Sequence, residues 1–107
     1  MRESIAPDAL MAQIAGGTPP LILDVRSKKE FDAGHVPGAR HLPFWQVGRH
    51  WETLASMRES PVVVYCGHGP RAYMAGAGLK RRGFKKVAYL AGHMKKWHEM
   101  NLPLEGR

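Results

Sequence analysis

The chain has 107 residues, 44% of them apolar, enough for one compact domain with its own core and too few for a second. Sixteen Lys and Arg against nine Asp and Glu give a formal charge of +7, which attracts small anions or an acidic protein surface. One cysteine excludes an internal disulfide, the apolar runs are too short to span a bilayer, and no charged-then-apolar leader opens the chain. The expectation is a cytoplasmic protein that does not engage a membrane.

Pro7 suits the first position of a helix, Asp8 complements its positive end, and Leu10, Met11 and Ile14 supply apolar spacing before Gly16 and Gly17 stop it. Thr18-Pro19-Pro20 turns the chain into Leu21-Ile22-Leu23-Asp24-Val25, a nearly continuous apolar run typical of a strand covered on both faces. Ser27 and Glu30 stand at capping-box spacing, so a short helix is predicted over Lys28 to Ala33, ended by Gly34. After a turn over His35 to Ala39 come a short strand within Ala39 to Leu42 and an amphipathic helix over Trp45 to Met57, with Val47, Trp51, Leu54 and Ala55 on one face.

Val62 to Tyr65 reads as the next strand, and Arg71 to Arg82 as a helix with Ala72, Ala75, Gly76 and Leu79 on its packed face. Gly83 caps it, Lys86 to Leu90 forms the last strand, and His93 to Met100 closes the chain with a helix carrying Trp97. Strands alternating with helices imply an α/β domain with a mainly parallel central sheet and helices on both faces. Ligands of such sheets gather at the carboxyl ends of strands, where both Cys66 and the stretch Asp24 to Arg26 fall.

Cys66 ends a β-rich run and opens the loop Cys66-Gly67-His68-Gly69-Pro70-Arg71 at the start of a helix. Two glycines let the backbone curl with its N–H groups toward the sulfur, and the positive end of the helix points into the same space. These dipoles, with His68 and Arg71 as rim donors, favour a nucleophilic thiolate. Of the two, Arg71 is the stronger candidate because it is always charged, whereas His68 reads equally well as a solvent-exposed loop residue.

At this point the sequence resembles the rhodanese family of sulfurtransferases, over most of its length from Leu21 to Pro103. The matching pieces are Leu23-Asp24-Val25-Arg26, Glu30-Phe31, Gly34-His35-Val36-Pro37-Gly38-Ala39, Leu42-Pro43, Val64-Tyr65-Cys66, Gly69, Arg71-Ala72, Gly83-Phe84, Val87, Leu90, Gly92 and Trp97. The resemblance implies a rhodanese-like domain with a five-stranded parallel sheet flanked by helices. It also implies a two-step sulfur exchange through a persulfide on Cys66, with thiosulfate or a related small anion as donor and cyanide or a thiol as acceptor.

Gly67, His68, Gly69, Pro70 and Arg71 would then form the substrate-binding loop. Its six-residue length is the one associated with sulfur chemistry in this family, whereas the related cell-cycle phosphatases carry seven residues. Tyr65 stands where tyrosine phosphatases usually have histidine, and the loop contains no carboxylate to serve as leaving-group acid. Two departures from the family pattern are His93, where many relatives have a second glycine, and Pro70, which removes one N–H from the loop.

Asp24 and Arg26 fit a structural pair, or hydrogen bonds that hold the loop, better than direct substrate contact. His35, in the Gly-His-Val-Pro-Gly turn, reads as a hydrogen-bonding element of the fold. The six histidines are dispersed, and His93 and His98 are poorly aligned on a helix, so neither a metal nor another cofactor is expected. Trp45, Trp51 and Trp97 read as packing residues, with Phe44 and Trp45 as an alternative apolar route to the loop. The basic residues of Lys80-Arg81-Arg82, Lys85-Lys86 and Lys95-Lys96 lack interleaved aromatics, so a solvated basic face is favoured over nucleic-acid binding. A second functional reading follows from that face: a sulfur carrier or docking module that recognises an acidic protein partner.

Overall fold

The computed structural model describes residues 3–106. Five strands, β1 (Ser4–Ile5), β2 (Leu21–Asp24), β3 (Arg40–His41), β4 (Val62–Tyr65) and β5 (Val87–Leu90), form one sheet in the order β1-β5-β4-β2-β3. Every pairing is parallel, so the connections must cross over the faces of the sheet. They do so through the helices α1 (Pro7–Ala15), α2 (Lys28–Asp32), α3 (Val47–His50), α4 (Pro70–Arg81) and α5 (His93–Glu99).

The central strands are buried along their whole length, and their alternation divides the core in two. Leu21, Leu23, Val62, Val64 and Cys66 face one layer, shared with Ala72, Ala75 and Leu79 of α4 and with Val47 and Leu54. Ile22, Val63 and Tyr65 face the other, shared with Leu10 of α1 and with Met94 and Trp97 of α5. Trp97 is fully buried and donates its indole N–H to the carbonyl of Pro103 at 2.9 Å. Small residues on α4 bring that helix close to the sheet: Gly76 lies directly against the ring of Tyr89.

The largest difference from the sequence reading is the segment Trp45 to Met57. In place of one amphipathic helix, the chain makes a 3-10 turn over Phe44–Gln46, the single α-turn α3, and a 3-10 stretch over Trp51–Met57. Val47 and Leu54 are still buried, so the apolar periodicity marks the packed face correctly, but the segment includes Gly48 and is rich in aromatic residues of modest helix propensity. Trp45 is 58% exposed and is not a core residue, while Trp51 packs at the edge of the core. The other shifts are of one or two residues at element ends, together with the two-residue edge strand β1, which no sequence pattern announces.

Candidate active site

The register Asp24↔Tyr65 sets the carboxyl ends of β2 and β4 level, and Cys66 is the first residue beyond β4. Gly69, with φ at 139°, is the N-cap of α4, a conformation that favours glycine. From there its amide donates to Cys66 Sγ at 3.0 Å. Among the described residues this is the one backbone amide within hydrogen-bonding distance of the sulfur, so the inward ring of amides expected from the sequence is reduced to a single donor. Pro70, at the first position of α4, has no N–H to add.

The neighbouring element braces the loop from outside. The amides of Met94 and Lys95 donate to the carbonyls of Cys66 and Gly67 at 3.0 and 3.1 Å, and the Cys66 amide donates to Nδ1 of His93 at 3.2 Å. Cys66 itself is fully buried in this conformation, while His68 and Pro70 are the exposed residues of the loop and Gly67 is half-buried.

Arg71 reaches back along the loop, and a Cβ on Gly67 would lie 3.3 Å from Nη2 of its guanidinium. It is also clamped in a two-pronged ion pair with Glu30, at 2.7 and 3.0 Å. Hydrogen bonding to Glu30 raises the Arg71 pKa despite partial burial, and the nearby Cys66 adds to the rise. In return Arg71, helped by Ser27, holds the Glu30 carboxyl down to about 2. Glu30 simultaneously closes the capping box of α2 by accepting from the Ser27 amide at 3.1 Å and hydroxyl at 2.9 Å. The sequence shows the capping box, but not that its carboxylate reaches Arg71, 41 positions later.

Asp24 and Arg26 form a buried ion pair at 2.7 Å, and Arg26 also donates to the carbonyl of Gly34 at 2.8 Å. Burial works against the Arg26 charge, but Asp24 outweighs it and leaves the pKa raised. Burial, reinforced by Asp24, pushes the Tyr65 hydroxyl far above its ordinary value, and that hydroxyl accepts from the Val36 amide at 3.1 Å. This network fixes the turn after α2 to β4. The side-chain contacts of the Asp24 and Arg26 pair run to Gly34 and Tyr65. His35 is likewise a fold element: its ring stacks on Phe31 at 3.7 Å, Nδ1 meets the Phe31 carbonyl at 3.0 Å, and its backbone bridges to Glu105.

The basic residues divide between the two ends of the sheet. Lys80, Arg81 and Arg82 close α4, and Lys85 and Lys86 precede β5, all at the end away from Cys66, whereas Lys95 and Lys96 lie on α5 beside the loop. A cavity of about 500 Å³ also lies at the far end, lined in part by Ile5, Gln13, Pro20, Pro61 and Lys86. Among the described residues no group of three or more His, Cys, Asp or Glu is placed to hold a metal, and no helix is long and apolar enough to cross a membrane.

A parallel α/β sheet that presents one cysteine on a strand-to-helix loop, facing an amide and an arginine, defines a class of site suited to anionic sulfur. Residues 6–100 match the Rhodanese-like domain family, and the chain belongs to it. It is 31% identical to the thiosulfate sulfurtransferase GlpE of Vibrio cholerae, over 78% of this chain and 77% of that protein. It is 36% identical to the putative sulfur carrier protein YrkF of Bacillus subtilis, over 71% of this chain but only 40% of that longer protein. The solution structure of the rhodanese-like domain of Alr3790 from Anabaena superposes with a TM-score of 0.85 at 28% identity, covering 100% of this chain and 81% of that one. The five-stranded parallel fold is thus that of the family, whose members here include sulfurtransferases and sulfur carriers.

Proposed function

We propose that the protein is a thiosulfate sulfurtransferase that works through a persulfide on Cys66. The Cys66 thiolate attacks the outer sulfur of thiosulfate, the S–S bond of the donor breaks, and sulfite leaves with the electron pair. The persulfide anion then gives its terminal sulfur to cyanide, forming thiocyanate, or to a thiol, and the thiolate is regenerated. The observation that carries this reading is the Gly69 N–H pointed at Sγ at 3.0 Å, with the Arg71 guanidinium over the neighbouring Gly67. Both would stabilise negative charge on sulfur before and after transfer.

Because Cys66 is covered, thiosulfate enters as the loop, whose His68 and Pro70 are exposed, moves off the sulfur. Arg71 then exchanges one of its contacts with Glu30 for a sulfonate oxygen, which its planar fork is shaped to accept. Asp24 and Arg26 take no part in the transfer and hold the frame around it.

Initial-rate kinetics with thiosulfate and cyanide test the scheme. A persulfide shuttle gives parallel double-reciprocal lines, and intersecting lines would refute it. The likeness to YrkF supports a second reading, in which the domain loads sulfur and passes it to an acidic protein partner attracted by Lys95 and Lys96 at the loop end. That reading requires stoichiometric loading of Cys66 with negligible thiocyanate production.

A further inference from the structure

His93 is 2% exposed and stands at the first position of α5 with φ at 53°. Glycine adopts this left-handed backbone freely, and asparagine and histidine tolerate it better than most residues, though at a conformational cost. Its side chain makes two contacts that bear on the sulfur loop. Nδ1 accepts the Cys66 backbone N–H at 3.2 Å, which requires the lone pair on Nδ1 and therefore the ring proton on Nε2. Nε2 in turn lies 3.4 Å from the Tyr73 hydroxyl oxygen, and the Tyr73 ring packs so closely on Gly69 that a Cβ there would sit 3.0 Å from it. Gly69 is the residue whose amide donates to Sγ. His93 thus reaches the sulfur loop at both ends, directly at Cys66 and through Tyr73 at Gly69.

We propose that His93 is a positioning residue of the sulfur loop: its Nδ1 holds the Cys66 amide away from the loop interior, so that Sγ takes its hydrogen bond from Gly69 and keeps a fixed aim. The role rests on the reading of Cys66 as the sulfur carrier, but the contact itself can be tested without it. His93→Gly keeps the left-handed backbone and deletes the ring. His93→Asn keeps that backbone and offers Oδ1 as an acceptor near the place of Nδ1.

Long-range proton–nitrogen spectra of the wild-type protein at neutral pH should show His93 carrying its proton on Nε2. The Cys66 amide should exchange slowly in the wild type and in H93N, and about tenfold faster or more in H93G, the scale of one lost hydrogen bond. The rate of sulfur uptake from thiosulfate should fall by about tenfold in H93G and return to within about threefold of wild type in H93N. A proton on Nδ1, a Cys66 amide as protected in H93G as in the wild type, or equal uptake by all three proteins overturns the proposal. If the wild type takes up no sulfur, the functional reading fails, while tautomer and exchange still decide the role of His93. If H93G does not fold, the wild-type tautomer and the protection of the Cys66 amide in H93N decide it.

Discussion

Replacing Glu30 by Gln removes the charge of the Arg71 clamp while keeping the capping box of α2. Gln keeps the Oε1 acceptor that serves the Ser27 amide and hydroxyl, so the capping box survives, while the negative charge and the Oε2 acceptor of Arg71 are lost together, as they are when Glu30 is protonated. In the folded protein the Glu30 carboxyl is held at about 2 against an ordinary 4.5, chiefly by Arg71. Taken at face value such a difference is worth about 3 kcal/mol, but the Glu30 side chain is 39% exposed and solvent screens the pair. A discounted figure of about 1 kcal/mol is expected, or roughly 4 °C in Tm for a domain of this size. Because the folded pKa is depressed, the contribution is complete above the unfolded value of 4.5 and is lost as pH falls toward 2. Urea titrations of wild type and E30Q at pH 6 and pH 2 should therefore show a gap at the higher pH that closes at the lower. A gap of equal size at both pH values, or none at pH 6, would refute the electrostatic account.

Asp24→Asn leaves the Arg26 guanidinium buried without its counter-charge and should destabilise the fold by about 3 kcal/mol in denaturant titration; a loss below about 1 kcal/mol would show the pair to be dispensable. Gly76→Ala places a methyl group against the Tyr89 ring, and the overpacking, about 1 to 3 kcal/mol, exceeds the gain of about 1 kcal/mol in helix propensity. A lower Tm is expected, and a higher one would mean that the α4 contact with β5 is looser than described.

Much of the architecture could be read from local pattern because it is locally encoded. The apolar runs Leu21 to Val25 and Val62 to Tyr65 become fully buried parallel strands, and Ser27 with Glu30 makes the capping box that starts α2. The position of Cys66 at the carboxyl end of β4 follows from the same runs. What sequence reasoning missed depends on tertiary contact. Trp45 to Met57 has the periodicity of a helix, yet a segment this rich in aromatics packs as successive 3-10 and α turns. The Glu30 to Arg71 clamp joins residues brought together only when β2 and β4 pair. His93 stands out in the sequence as a departure from glycine, but its bond to the Cys66 amide requires the ends of β4 and β5 to be side by side. The basic residues look like one cluster in the sequence, and strand β5, which runs between Lys86 and the turn before α5, carries them to opposite ends of the sheet.

The central claim is that Cys66 carries the sulfur, and mass spectrometry with peptide mapping after exposure to thiosulfate tests it most directly. One sulfur atom should be added to the peptide containing Cys66, removed again by cyanide, and absent from a folded Cys66→Ser variant. No added sulfur on the wild-type protein, or sulfur transfer that persists in the variant, would contradict the account.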